Sequence, residues 1–208
     1  GSCKKPKLIE INSEKLLENV KTLSDDSFEG RAFSTEGSYK TQEFILDKFN
    51  KLGLQKVIDN NYLQEFTHTF KGKSRHEVFP MTRPKPYDDY SNVPDTTASG
   101  ANIIGLLKGQ TNKSIVISAH YDHLGKRGDK IYNGADDNAS GTAALFTIAE
   151  YFKNKPTKHN LIFAAVDAEE IGSLGAEYFL KNYTDKSNIA LNINLDMIAH
   201  SDYDPELY

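Results

Sequence analysis

Three strand-like segments in the second half of the chain constrain its fold most strongly. Residues 114–119 are mostly apolar, residues 161–166 are a continuous apolar run, and residues 189–195 alternate between aliphatic side chains and Asn. Helical periodicity over 139–152 and 173–182 separates them. Buried strands joined by helical crossovers are typical of parallel sheets that are covered on both faces. The sequence therefore predicts an α/β fold with a mostly parallel central sheet and helices on both faces.

The first half of the chain adds two helices and one strand. Apolar stripes at helical spacing predict helices over 13–23 and 38–52, and partial alternation predicts a strand over 63–70. Four prolines make residues 79–100 read as a loop or excursion. At 208 residues the chain has room for one large domain, so we expect a polar tether over 1–12 and a single domain over 13–208.

Composition excludes several classes of protein. A net charge of −4 argues against a nucleic-acid partner, and no apolar run reaches the ~18 residues of a membrane helix. The single cysteine, Cys3, excludes an internal disulfide and a thiolate metal cluster. Cys3 follows small residues and precedes a polar stretch, so two interpretations stay open: an inert terminal thiol, or the lipid anchor of a periplasm-facing lipoprotein in the cell envelope or outside the cell.

Acidic residues follow each of the three strands, and histidines follow the first. Asp122 and His120 come after the first, Glu169 and Glu170 after the second, and Asp196 after the third, while an Asp136-Asp137 pair opens a helix. Ligands of open α/β sheets bind outside the carboxyl ends of the strands, so these side chains should converge. Carboxylates crowded in this way repel one another unless a cation lies among them. Imidazole and carboxylate donors without thiolate suit zinc, with manganese, cobalt or iron as alternatives.

The side chains also divide by role. His120 is a candidate ligand, and Asp122 can hold its other ring nitrogen. Glu169 and Glu170 are adjacent and cannot point the same way, so one can bind the metal while the other acts as general base. This arrangement is what metal-assisted hydrolysis requires.

These motifs resemble those of the co-catalytic zinc aminopeptidases, of the aminopeptidase Y and bacterial leucyl aminopeptidase type. The resemblance covers roughly residues 13–200 and includes the segments Ser118–Gly125, Asn133–Ala143, Glu169–Gly175 and Asn194–Ile198. It implies a zinc-exopeptidase fold of the phosphorylase/hydrolase-like kind, and hydrolysis that releases N-terminal residues from peptide substrates.

The resemblance also implies a set of site residues. Asp136 would bridge two zinc ions; His120 and Asp196 would complete one site, and Glu170 with a histidine beyond Tyr208 would complete the other. Glu169 would be the base, and Asp122 would orient His120. A cis peptide between Asp136 and Asp137 is implied as well.

The family pattern continues past Tyr208 with further strands and helices and its last zinc-ligand histidine, so the sequence predicts an incomplete domain. We expect this chain to hold one zinc firmly, to be weakly active or inactive, and to self-associate through an uncovered sheet edge. His123 is expected to line the pocket mouth, and His200 to lie in a surface loop. The alternatives are a glutaminyl-cyclase-like acyltransferase, a non-catalytic binding descendant of the fold, and a metal-dependent deacylase or carboxypeptidase.

Overall fold

The computed structural model describes residues 11–72 and 94–200. Four α-helices and eight β-strands lie in these ranges. The helices are α1 (Ser13–Leu23), α2 (Glu36–Lys51), α3 (Gly141–Phe152) and α4 (Leu174–Asn182). The strands are β1 (Gln55–Lys56), β2 (Leu63–Phe70), β3 (Thr96–Leu107), β4 (Ser114–His120), β5 (Gly125–Arg127), β6 (Lys130–Tyr132), β7 (Asn160–Val166) and β8 (Ile189–Asn194).

The helix ends have local causes in the sequence. The Asn12 side chain accepts a hydrogen bond from the Lys15 backbone N–H and caps α1, and Thr35 caps α2 in the same way through Ser38. These caps satisfy backbone donors that have no partner inside the helix. After α2, Gly53 has a φ of 70°, the left-handed conformation that glycine adopts most easily at a helix end.

Six strands form the central sheet in the order β1-β3-β7-β4-β8, with β2 also paired to β3. The three strands that carry the predicted site residues are parallel, since β4 pairs in parallel with both β7 and β8. The first three strands join through antiparallel pairs, β1 and β2 with β3, and β3 with β7. The sheet is therefore mixed, and its parallel part lies where the sequence places the site.

Helices cover both faces of the sheet, as predicted. Ile103, Ile117 and Phe163 pack with side chains of α1, α2 and α3 on one face. Their neighbours along the same strands point the other way, and Ile104 and Ile162 pack with α4 side chains on the opposite face. Successive strand side chains alternate between faces, so strands β3, β4 and β7 are buried on both sides.

Residues 96–100 differ from the expectation of a loop. They begin β3 and pair with β2 in a continuous eight-residue antiparallel register, from Phe70 with Thr96 to Leu63 with Ile103. The residues are small and polar and follow Pro94, so the segment carries no apolar signal. The rest of the proline-rich excursion, residues 79–93, and Cys3 lie outside the described residues, so the lipid anchor and the location stay predictions.

Strand β8 forms one end of the described sheet. Its side chains Leu191 and Ile193 are 51% and 44% exposed, and Met197 and Ile198 beyond it are also exposed. Self-association through this edge stays a prediction. Among the described residues, no helix combines the length and apolarity needed to cross a membrane.

Candidate metal centre

The ends of strands β4, β7 and β8 bring the predicted residues to one edge of the sheet. His120 is the last residue of β4, Glu169 and Glu170 follow β7, and Asp196 follows β8. The turn Ala135–Ser140, between the β5–β6 hairpin and α3, supplies a further carboxylate. Because β4 is the middle strand of the parallel trio, its end lies between the other two.

One group of side chains surrounds the His120 ring. Its Nε2 atom lies 3.3 Å from an Asp137 carboxylate oxygen and 3.3 Å from Asp196 Oδ1. The ring is buried, and Asp196 is 44% exposed. These three side chains place one imidazole nitrogen and two carboxylate oxygens within metal-binding reach of one another.

A second group shares Asp137 with the first. His123 Nδ1 lies 2.6 Å from Glu170 Oε1 and 3.7 Å from the other Asp137 oxygen, Oδ2. The second group therefore also contains one imidazole and two carboxylates. Sequence reasoning placed His123 at the pocket mouth, because the run from His120 to His123 gives no indication of which way the second histidine ring points.

The carboxylate common to both groups belongs to Asp137, whereas the resemblance assigned that position to Asp136. An Asp136 oxygen instead accepts a hydrogen bond from the Ala199 N–H at 3.0 Å. The two side chains diverge because Asp137 leaves the helical conformation, with φ −98° and ψ 97°. The predicted cis peptide is wrong by one residue, since the cis bond joins Asp137 to Asn138.

Asp122 links the ends of two strands. Its carboxylate oxygens accept the backbone N–H groups of Glu169 and Glu170 at 3.0 and 3.1 Å. The His120 Nδ1 atom lies 3.1 Å from the Asp122 backbone carbonyl and 3.5 Å from its carboxylate, so the carbonyl is the nearer acceptor. Asp122 thus contacts His120 and also fixes the backbone of the two glutamates. That Asp122 orients the imidazole stays a prediction.

Two further side chains fix the His120 backbone. Asn138 Nδ2 and Thr142 Oγ1 both donate hydrogen bonds to the His120 carbonyl, at 3.2 and 2.9 Å. Asn138 Nδ2 also donates to the Leu195 carbonyl at 2.9 Å, which connects β4 to the residue before Asp196. Sequence reasoning missed both residues as site residues, although they lie in the motif that opens α3.

Charge crowding shifts several pKa values at this edge. Burial acts to lower the pKa of His120, but Asp122, Asp196 and Asp137 outweigh it and raise that pKa to about 9. Burial raises the pKa of Glu169, and the neighbouring carboxylates add to the increase. The hydrogen bond from His123 lowers the pKa of Glu170. Glu170 therefore holds its charge more readily than Glu169, which separates the two adjacent glutamates chemically.

Asp167, the first residue after β7, is fully buried behind the cluster. Its Oδ1 atom accepts the Ala168 N–H at 2.8 Å. Burial, and then the charge of Asp122, raise the pKa of Asp167 well above its ordinary range. This carboxyl group therefore favours its neutral form in the folded protein.

The donor chemistry of the cluster fits a pair of divalent cations. Each group offers one imidazole and two carboxylate oxygens, and no thiolate takes part. Three protein ligands with room for water or substrate is the pattern of catalytic zinc sites. Among residues 11–72 and 94–200, three other histidines belong to no group of potential ligands: His68, His159 and the exposed His200. His76 lies outside those ranges.

The fold and the cluster together define an α/β protein with a carboxylate–imidazole centre at the ends of its parallel strands. Residues 102–207, about half of the chain, match the model of Peptidase family M28. The chain belongs to that family.

Two curated relatives are similar in sequence to this chain. It is 29% identical over 189 residues to the alkaline phosphatase isozyme conversion protein of Escherichia coli, covering 84% of this chain and 48% of the relative. It is 33% identical over 111 residues to aminopeptidase YwaD of Bacillus subtilis, covering 51% of this chain and 23% of the relative. The chain thus spans half or less of the length of both relatives.

The structure of BSAP, a zinc aminopeptidase from Bacillus subtilis, has the same fold. Its TM-score is 0.69 at 16% identity, over 92% of this chain and 70% of that one. Glutaminyl cyclases are also among the solved structures with this fold, at TM-scores of 0.63 and 19% identity. The predicted family and the α/β fold class are confirmed.

Proposed function

We propose that this chain carries the active site of a zinc-dependent aminopeptidase, which releases N-terminal residues from peptides. The observation that carries the proposal is the pair of ligand groups sharing Asp137, with Glu169 beside them. His120 and Asp196 would complete one zinc position, and His123 and Glu170 the other. Because the second group has an imidazole of its own, we propose two zinc positions within the described residues rather than the single firm one expected from sequence.

Bound zinc would supply a Lewis acid that polarises the scissile carbonyl and lowers the pKa of water at the site. The residues of the chain have separate tasks. Asp137 holds the two groups together, and Asp122 fixes the backbone of Glu169 and Glu170 through their N–H groups. Asn138 and Thr142 keep the end of β4 in place.

Glu169 is the proposed general base. Its raised pKa favours proton transfer near neutral pH, because a base works best when its pKa is close to the working pH. A Glu169 oxygen takes one proton from water as the water oxygen bonds to the carbonyl carbon. The same proton then passes to the leaving nitrogen as the C–N bond breaks, so the glutamate ends the cycle in its starting form.

The excess of carboxylates at this edge supports a substrate with a positive end. A free α-ammonium group satisfies that requirement, and an acetylated N-terminus does not. The name of the Bacillus subtilis relative, an aminopeptidase, points to the same class of substrate.

The test compares three kinds of substrate on the purified zinc-loaded protein. Aminoacyl p-nitroanilides with free amines should be hydrolysed, their N-acetylated forms should not, and peptides with N-terminal Gln should not be cyclised. Glu169→Gln serves as the matched control, since it retains the size of the side chain but cannot accept the proton.

Cyclisation of Gln peptides without hydrolysis would support the acyltransferase alternative and refute the aminopeptidase. Preference for the acetylated substrates would support a deacylase or carboxypeptidase. Stoichiometric zinc binding with no turnover of any substrate would refute the proposed activity of this chain; it would fit both a non-catalytic binding protein and the inactivity expected of an incomplete domain.

A further inference from the structure

Arg31 lies entirely inside the protein, beside the segments that carry the metal centre. Its exposed fraction is 0%, and it is the only buried lysine or arginine among residues 11–72 and 94–200. It ends the short helical segment Asp26–Arg31, in which Glu29, Gly30 and Arg31 have φ values of 52°, 68° and 55°. A left-handed stretch of this kind is uncommon outside glycine and persists only where the surrounding structure holds it.

The guanidinium group connects three separate parts of the backbone. Nε donates to the Tyr121 carbonyl at 2.8 Å, between His120 and Asp122. Nη1 and Nη2 donate to the carbonyls of Asn133 and Gly134 at 2.7 and 2.9 Å, directly before the turn that contains Asp137. Nη1 also donates to the last residue of α1, Leu23, at 2.6 Å. One side chain thus sets the distance between the two segments that present His120 and Asp137.

The same segment is tied to the site from outside. The Asn133 side chain donates to Asp26 at 2.6 Å, and Lys126 of the β5–β6 hairpin pairs with Glu29 at 2.8 Å. A Cβ atom on Gly30 would clash with the Tyr132 carbonyl oxygen, so the chain passes very close to the hairpin. The segment Asp26–Arg31 therefore packs against the residues that lead into the metal centre.

Arg31 also places a positive charge near the carboxylates of the metal centre. All four acceptors within bonding distance are backbone carbonyls, so none of them cancels the charge. Burial lowers the pKa of Arg31 to about 10, opposed by the more distant charges of Asp122, Asp137 and Glu170. The group remains protonated at neutral pH, and a buried cation faces three carboxylates of the site. Such a cation reduces their mutual repulsion in a region of low dielectric.

We propose that Arg31 is a positioning residue of the metal centre, which holds the His120 and Asp137 segments at their spacing and offsets the repulsion among the site carboxylates. The inference rests on the metal site proposed above. It assigns a role to the end of the segment Asp26–Arg31, since Arg31 lies 90 residues before its acceptor Tyr121 in the sequence.

The simpler interpretation is that Arg31 only holds the fold together, and the experiment must separate the two. Arg31→Met removes the charge and the donors, whereas Arg31→Lys keeps the charge but cannot reach all three segments. Both keep a Cβ atom at the same φ, so the backbone strain is unchanged. Ile45→Ala is the matched control, because it weakens the same core from the fully buried face of α2, a helix that carries none of the site residues.

Three properties are measured for each variant: the urea midpoint of the metal-free protein, the Co²⁺ affinity by chelator competition, and the visible absorption spectrum of bound Co²⁺. Residues that support metal ligands indirectly typically change metal affinity ~10–100-fold. We expect a loss in that range for Arg31→Met with an altered Co²⁺ spectrum, and a smaller loss for Arg31→Lys. Ile45→Ala should lower the urea midpoint and leave affinity and spectrum unchanged. Any partly unfolded variant is measured in sucrose, which favours the folded state without binding the site.

Wild-type Co²⁺ affinity and spectrum in both Arg31 variants, together with lowered urea midpoints, would overturn the proposal and leave Arg31 a fold-stabilising residue. Equal losses of affinity in Ile45→Ala would overturn it as well, since the effect would then follow stability alone. Failure of the wild-type protein to bind Co²⁺ or Zn²⁺ would instead refute the proposed metal site, so the two failures are distinguishable.

Discussion

Replacing each of the two adjacent aspartates by asparagine, one at a time, gives the most direct test of the metal centre. Asp137→Asn and Asp136→Asn remove the same unit of charge from neighbouring positions, so each is the control for the other. The structure predicts very different outcomes, because only Asp137 has its carboxylate between the two imidazoles. Asp136 binds the Ala199 N–H, and asparagine can still accept that hydrogen bond.

The expected loss of zinc affinity in Asp137→Asn follows from the charge that is removed and from the exposure of the side chain. Unit charges ~4 Å apart interact by about 4 kcal/mol at an effective dielectric of 20. The Asp137 side chain is 35% exposed, which calls for a reduction of roughly half through solvent screening. The attraction between Asp137 and the cation is then about 2 kcal/mol for each of the two positive charges of the ion. The cost of removing water from the ion offsets part of the contribution of the second charge. Asp137→Asn should therefore weaken zinc binding roughly 30- to 1,000-fold, and Asp136→Asn less than about 3-fold.

Zinc affinity is measured by competition with a chromophoric chelator at ~0.15 M salt, where distant surface charges are screened. Urea unfolding of the metal-free variants confirms that both are folded under the same conditions. A loss in Asp136→Asn equal to or larger than that in Asp137→Asn would refute the geometry and favour the assignment that the family resemblance gave.

Three further outcomes are expected. Glu169→Gln should leave zinc content nearly intact and reduce turnover at least ~10²–10⁴-fold, as measured by metal analysis and aminoacyl p-nitroanilide hydrolysis; near-normal turnover would show that another group is the base. Asp167→Asn should gain stability relative to the wild type as pH rises above about 4, because the wild-type carboxyl ionises in the unfolded chain while burial keeps it neutral in the folded protein; a stability difference independent of pH would contradict this. Gly30→Ala should lower the free energy of unfolding by more than ~1 kcal/mol, since its φ of 68° and the Tyr132 carbonyl both oppose a Cβ atom; an unchanged urea midpoint would exclude that close approach.

The parallel core of the sheet was predictable because its signal is local. Strands β4 and β7 are mostly apolar, and acidic residues follow closely after each of them. The hydrophobic pattern therefore predicts the strands, and the rule that ligands bind at the carboxyl ends of parallel strands predicts the location of the site. The beginning of β3 was not predictable in this way. Its small polar residues are typical of a loop, and only the pairing with β2 makes them a strand.

The individual ligands were harder to predict than their location. A pair of adjacent aspartates cannot both face the same point, and the sequence contains no indication of which one does. The choice depends on the backbone at Asp137, which in turn depends on the hydrogen bonds of Asn138 to the ends of β4 and β8. Arg31 was missed as a site residue for a related reason, since its acceptors at the centre lie 90 to 103 residues away in sequence.

The crowding of carboxylates at the metal centre contributes to the raised pKa values of both His120 and Glu169. Carboxylates from three strand ends and one turn meet where two imidazoles, Arg31 and Arg127 oppose their charge. Without a cation, the protein compensates by holding protons: the pKa of His120 rises to about 9, and burial together with neighbouring carboxylates raises that of Glu169. A divalent cation would take over that compensation and release the His120 proton, because imidazole binds metal in its neutral form. The same crowding therefore favours metal binding at His120, whereas burial, the largest cause of the raised Glu169 pKa, still acts when a cation neutralises the neighbouring carboxylates.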